Sequence, residues 1–234
     1  MGGFYHGDLS LCADVDCAED FPCGATFVLD FETDDMGNPM VHGTKVDTEY
    51  DGGPNFPVTI TGSVNASALN TAAILDSTTG PAAQDPDLLV GKGNILILQN
   101  DLNLTECPAG SGVYCAHNDD EHGGTLSFAF SLPVRPASLV LVDIDTPHPT
   151  NTVVLTDSTG LTRTYTVPAG WTGDLVTDGP PGFRTLLLDS TADQLGFAST
   201  ATASEQAGFN QLDVIRIDVN LGGSGAVDDL EWCL

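Results

Sequence analysis

Apolar and polar residues alternate with a period of two along most of this chain, the pattern of strands that bury one face. The clearest case runs from Thr125 to Leu132, where Leu126, Phe128, Phe130 and Leu132 point one way and Ser127, Ala129 and Ser131 the other. The run Thr26-Phe27-Val28-Leu29-Asp30-Phe31-Glu32 predicts a first strand, followed by the turn Asp34-Asp35-Met36-Gly37-Asn38-Pro39. Gly, Asn and Pro supply the geometry of such a turn. Apolar runs at 72–75 and 95–98 predict two more strands, and the more continuous run at 138–144 reads as a central one. Weaker strands are expected at 43–48 and 56–61, and further ones at 152–157, 162–167, 184–189, 213–219 and 226–232. Within 213–219, Ile215, Ile217 and Val219 are expected on one face, against Val214, Arg216 and Asp218 on the other. The segment 190–211 breaks the pattern and is expected to hold a short helix or a long loop crossing one end of the fold.

About a dozen short strands between turn signals, with no amphipathic helix, predict an all-β protein: an antiparallel β-sandwich of the jelly-roll type with long acidic loops. Residues 1–24, rich in Gly, Asp and Cys, read as an irregular arm tied by disulfides, and residues 25–234 as a single sandwich domain. With 234 residues, 41% of them apolar, the chain has ample material for one core. No apolar run reaches bilayer length, so membrane insertion is not expected.

Charge narrows the partners. Thirty-three acidic residues against six basic ones leave a formal charge of -27, which excludes a surface that tracks phosphates and with it nucleic acid. Two readings of this acidity stay open: a surface adapted to a salty habitat, or loops that collect cations. Six cysteines, at positions 12, 17, 23, 107, 115 and 233, include no Cys-x-x-Cys pair. Disulfides in an oxidising, extracellular or cell-surface setting are the expected use. Cys107 and Cys115 bracket a Gly-rich loop and Cys12 and Cys17 a short acidic one, which leaves Cys23 for Cys233.

The expected chemistry is oxygen ligation. Asp76, Asp85, Asp87 and Asn94 lie in and beside the loop between the strands at 72–75 and 95–98, and Asp119, Asp120 and Glu121 form a second acidic loop. Carboxylates, amide oxygens and backbone carbonyls wrapped by a loop are the ligands of calcium, so calcium is the expected cofactor. Asp in Gly- and Pro-rich loops equally caps its own backbone. His117 and His122, five apart, do not share a strand face and read as solvated loop residues. Gly110-Ser111-Gly112 is no nucleophile elbow, and among so many acids a glycosidase pair has no meaning in sequence. Enzymatic activity is therefore not expected. A glycan would stack on exposed rings, for which Trp171, Tyr50 and Tyr114 are the candidates, although a turn Trp can also pack over the end of a sandwich. Trp232, in the last strand, is expected in the core. The expected partners are further copies of the chain, joined by strand addition at a sheet edge, or a surface glycan.

The motif order Asp30-Phe31-Glu32, Asp35-Met36-Gly37-Asn38, Ile74-Leu75-Asp76-Ser77, Asp85-Pro86-Asp87-Leu88, Gly93-Asn94-Ile95-Leu96-Ile97, Asp119-Asp120-Glu121, Gly123-Gly124-Thr125-Leu126 and Gly223-Ser224-Gly225-Ala226-Val227-Asp228-Asp229 resembles a family of secreted or surface-anchored bacterial β-sandwich domains. The resemblance covers about residues 25–234 and implies the fold, a location outside the cell and no assigned catalysis. The chain is more loosely similar to calcium-bearing jelly-roll carbohydrate-binding modules. That likeness implies one structural ion shared by Glu32 near the first strand and Asp228 or Asp229 in the last.

Overall fold

The structure is a computed structural model, and it describes residues 25–51, 56–64, 69–78, 88–144, 151–173 and 182–234. Among these residues twelve strands follow one another: β1 (Thr26–Leu29), β2 (Val58–Val64), β3 (Ala72–Asp76), β4 (Asn94–Leu98), β5 (Gly124–Val142), β6 (Asn151–Asp157), β7 (Thr162–Val167), β8 (Phe183–Leu187), β9 (Gln194–Leu195), β10 (Thr200–Glu205), β11 (Val214–Leu221) and β12 (Ala226–Cys233). All pairings are antiparallel, and the sheet does not close into a barrel. It forms a β-sandwich whose two layers share β5. The first half of β5 lies between β2 and β11, and the second half between β12 and β8. β11, β6, β7, β10 and β9 extend one layer; β12, β4 and β3 extend the other, with β1 alongside the C-terminal half of β12.

The strands expected at 125–132 and 138–144 are thus one. Pairing with β11 ends at Val134 and pairing with β12 begins at Arg135, so Pro133 and Pro136 fall where the strand passes from one layer to the other. A missing N–H is tolerated where a ladder is interrupted. Leu132 leaves the core face there and is exposed. Ile217 and Val219 are buried as expected, but a bulge between Val214 and Arg216 shifts the register of β11, so Val214 is buried in place of Ile215. Residues 43–48 make only the bridges Thr44–Val113 and Lys45–Ala73 and form no strand. The segment 190–211 holds β9 and β10 instead of a helix or loop. Its inward positions are taken by Ala201 and Ala203, side chains too small to mark a hydrophobic period.

The main core lies between the layers, where Trp171, Trp232, Phe128, Ile60, Leu141, Leu186, Leu155 and Ile217 are all buried. Trp232 lies in the core as expected, stacked on Phe27 and edge-on to Phe56 and Phe130. A second cluster, including Ala73, Leu75, Ile95, Ile97, Leu88 and Tyr114, covers the outer face of β3 and β4. This accounts for two strands apolar on both sides.

Side-chain amides join the layers at their edges. Asn70 accepts from the Gly62 and Ala72 N–H groups and donates to the Val46 carbonyl. Gln194, in β9, accepts from the Leu187 N–H and donates to the Leu187 carbonyl on the free edge of β8, both at 2.8 Å. Each amide takes up backbone groups that an edge strand would otherwise present to another chain.

Cys107 and Cys115 are bonded to each other, as their spacing suggests. Cys233 is also disulfide-bonded, its partner lying outside the described residues. Cys12, Cys17 and Cys23 lie outside them too, as do Asp85 and Asp87. No helix among the described residues is long and apolar enough to cross a membrane.

Candidate functional site

The register of β1 on β12, from Thr26 opposite Cys233 to Leu29 opposite Leu230, carries the chain to Phe31 and Glu32 beside Asp228 and Asp229. The start of β4 comes to the same place. Asn94 donates through its side chain to the carbonyls of Phe31 and Met40, and its N–H donates to Glu32 Oε1 at 2.9 Å. Two backbones turn out of the β region to allow this, with φ of 59° at Phe31 and 42° at Asp229. Such conformations are rare for residues with a Cβ, and for a bulky Phe they are outliers held by their surroundings. Gly93 completes the junction. Its φ is +86°, and a Cβ there would stand 1.9 Å from Glu32 Oε1.

A lysine reaches this junction. Lys92 Nζ lies 2.6 Å from Asp229 Oδ2 and 3.4 Å from Asp228 Oδ2, and 5.2 Å from the centre of the Phe183 ring. Burial alone would lower the Lys92 pKa, but the hydrogen bond to Asp229 and the charges of Asp228 and Asp229 outweigh it and hold the ammonium above its ordinary range. Asp228 itself is 1% exposed, and its Oδ1 has no hydrogen-bond partner among the described residues. Burial, and then the neighbouring Asp229 charge, push its pKa up to about 7, against the opposing pull of the Asp229 N–H and Lys92.

Sequence reasoning passed over Lys92. The signal that marks it is the tripeptide Gly91-Lys92-Gly93, in which one of only two lysines stands between glycines of positive φ.

The other expected metal ligands separate. Asp119 Oδ2 accepts from Ser224 Oγ and the Gly225 N–H, at 2.6 and 2.8 Å. Asp120 accepts from the N–H of His122, two residues on, and Glu121 points into solvent. Asp76 caps its own turn, accepting from the N–H and hydroxyl of Thr78. Asp76, Asp119 and Asp120 therefore serve local backbone or hydroxyl donors, Glu121 none of them, and Asp228 and Asp229 a lysine. No group of three or more His, Cys, Asp or Glu among the described residues is arranged to hold a metal. The described ligand set does not fit calcium, which needs six to eight oxygens about one point.

His42 and His117 meet instead, with ring centres 3.9 Å apart. His42 Nδ1 accepts the Asp76 N–H at 3.0 Å, which places the proton of the neutral ring on Nε2 and leaves no lone pair for a metal. Burial, and next the His117 ring, lower the His42 pKa to about 4, and burial lowers that of His117.

The rings expected to stack on a sugar are in the core. Trp171 is 1% exposed, with Gly196 against its face, Arg184 on its ring and its Nε1–H donated to the Gln194 carbonyl. Tyr50 and Tyr114 are buried as well. A turn Trp here closes the end of the sandwich, because apolar area is worth more beneath the β9 turn than in water. Among the exposed apolar side chains are Phe183 and Leu187 on β8, and Leu195 and Phe197 at and just after β9, the last two at 74% and 67% exposure.

No family model matches this chain, and no curated protein matches it. The likeness to secreted bacterial sandwich domains rests on the motifs named above.

Proposed function

We propose that this protein is a non-catalytic extracellular β-sandwich domain that serves in surface adhesion or in an extracellular structure built from further copies of itself. The observation that carries the reading is the pair of exposed apolar side chains at the β9 turn, Leu195 and Phe197, beside the exposed Leu187 of β8, whose backbone the Gln194 side chain holds. Grouped exposed apolar side chains mark interaction surfaces more often than scattered ones do. Arg184, one of the six basic residues, lies over the Trp171 ring on which Gly196 of this turn packs, so an acidic second copy meets a positive charge beside the turn. Disulfides at Cys107–Cys115 and at Cys233 support a location outside the reducing cytosol.

Static light scattering across a concentration series tests the reading, alongside thermal melting, with calcium and then with chelator at constant ionic strength. Reversible growth of particles is expected, and Leu195→Asp with Phe197→Asp should abolish it without lowering the melting temperature. A chain that stays monomeric at every concentration, and shows no retention on bacterial surfaces, would overturn the proposal. Calcium belongs to this test and not to the reading.

A further inference from the structure

The similarity to calcium-bearing modules leads one to expect a metal ion between Glu32 and the last-strand aspartates, and the residues present do not fit one. We infer that the ammonium of Lys92 is the resident cation of this junction, standing where a divalent ion would otherwise hold the first and last strands to β4. Three observations carry this. Lys92 Nζ contacts carboxylate oxygens of both Asp229 and Asp228, so the last strand already has its counter-charge. The Glu32 carboxylate is engaged by the Asn94 N–H, in space that only a glycine at 93 leaves open. Asp228 is buried in β12, with one oxygen facing the ammonium and the other without a partner, so the site is built around a single positive charge and is left short if that charge is removed.

An internal ammonium differs from a metal in what controls it. It cannot be stripped by a chelator or diluted away, so the strand junction stays closed in media where a calcium clamp would open. A bound ion stabilises only the state that binds it, in proportion to its concentration.

Melting curves of wild type, Asp228→Asn and Lys92→Met, each with calcium in excess and with chelator at one ionic strength, test the inference. The calcium-minus-chelator shift should be the same in wild type and Asp228→Asn, since calcium does not use Asp228 while Lys92 is present. Lys92→Met should melt about 5 °C lower in calcium and in chelator alike, because the two carboxylates then face each other without a cation and are too few to hold calcium. Lys92→Arg, which keeps the charge, should stay insensitive to chelator. A calcium-dependent rise in wild type that disappears in Asp228→Asn would overturn the inference, and so would a Lys92→Met protein that melts with wild type. The comparison of wild type with Asp228→Asn needs no Lys92 variant, so the test stands even where Lys92→Met does not fold.

Discussion

Asp157 and Asp228 are both buried aspartates on strands, at 0% and 1% exposure. Asp157 closes β6, and both of its oxygens accept hydrogen bonds. Its Oδ1 accepts from the N–H and hydroxyl of Thr159 and from the Leu161 N–H, and its Oδ2 from the Asn210 N–H. Burial pushes its pKa up, but the hydrogen bonds from Thr159, Asn210 and Leu161 outweigh that and hold the carboxyl below its usual range. Asp228 has one oxygen near an ammonium and one with no partner, and its pKa goes the other way. Burial alone therefore says nothing about role; the supply of donors decides whether a buried carboxylate is a finished turn or a site under electrostatic stress. The comparison can be broken at either end.

The largest effect is expected from Asp157→Ala. It leaves four part-buried donors around β6, β7 and the 206–213 turn without their acceptor, and an unsatisfied donor costs more the further it lies from water. A fall in melting temperature of roughly 5 to 10 °C is expected by calorimetry. A change of a degree or less would mean that these donors find water and that Asp157 is no different from a surface turn residue.

Asp228→Asn should act through pH. A carboxyl whose folded pKa is raised binds more protons folded than unfolded. Its favourable contribution is complete below about pH 4 and is lost as pH rises through about 7. In wild type this penalty at alkaline pH is on the order of 3 kcal/mol. The variant should lack that component of the slope in urea midpoints between pH 4 and 8. Identical profiles for the two proteins would show that Asp228 is charged throughout and well solvated.

Gly93→Ala comes next, with a loss on the order of 2 kcal/mol. The new methyl must displace the Glu32 carboxylate from the Asn94 N–H, and the backbone at φ +86° is strained for any L-residue. Gly37 is the control, being also at positive φ, but a methyl added there would meet nothing within 4 Å. Alanine at 37 should cost only the backbone strain, and equal losses at both positions would remove Glu32 from the junction.

Much of the sandwich was legible in the sequence because its core obeys simple alternation: β2 and β6 bury every second residue without exception. The strand expected first lies beside the last strand, and Cys107 and Cys115 are bonded as their spacing suggests. Alternation failed where another constraint took over. A bulge re-phased β11, two prolines marked a layer crossing rather than an end in β5, and alanines hid β10. The candidate site was harder to read because acid content does not tell which carboxylate is already served. Asp76, Asp120 and Asp157 serve their own turns, while Asp228, in an apolar-looking strand, is the one left short. Trp171 misled for a related reason: a ring in a turn is exposed only if nothing closes over it, and the closure here comes from Gly196, 25 positions further along.

The smallest expected effect sets the two ends of the acid scale against each other. His42 binds fewer protons folded than unfolded, because burial and the His117 ring lower its pKa from 6.5 to about 4. The stability it contributes is complete above pH 6.5 and is lost as pH falls through about 4, and His117 acts in the same direction. The groups facing this pair are Asp76, whose charge favours protonation of His42 without overcoming burial, and the Tyr114 carbonyl, which accepts from His117. Between pH 4 and 6.5 His42 and Asp228 therefore pull in opposite directions, and wild type should change little over that range. Removing Asp228 exposes the histidines: the Asp228→Asn protein should lose about 1 to 2 kcal/mol between pH 6.5 and 4.5, the figure being reduced because the ring is half-buried. Adding His42→Asn, whose side-chain oxygen can still accept the Asp76 N–H, should flatten the profile again. If the single Asp228→Asn variant is already flat, the histidines are not sensed in that range, and the seam between the 42–45 and 113–117 segments is held by its backbone bonds alone.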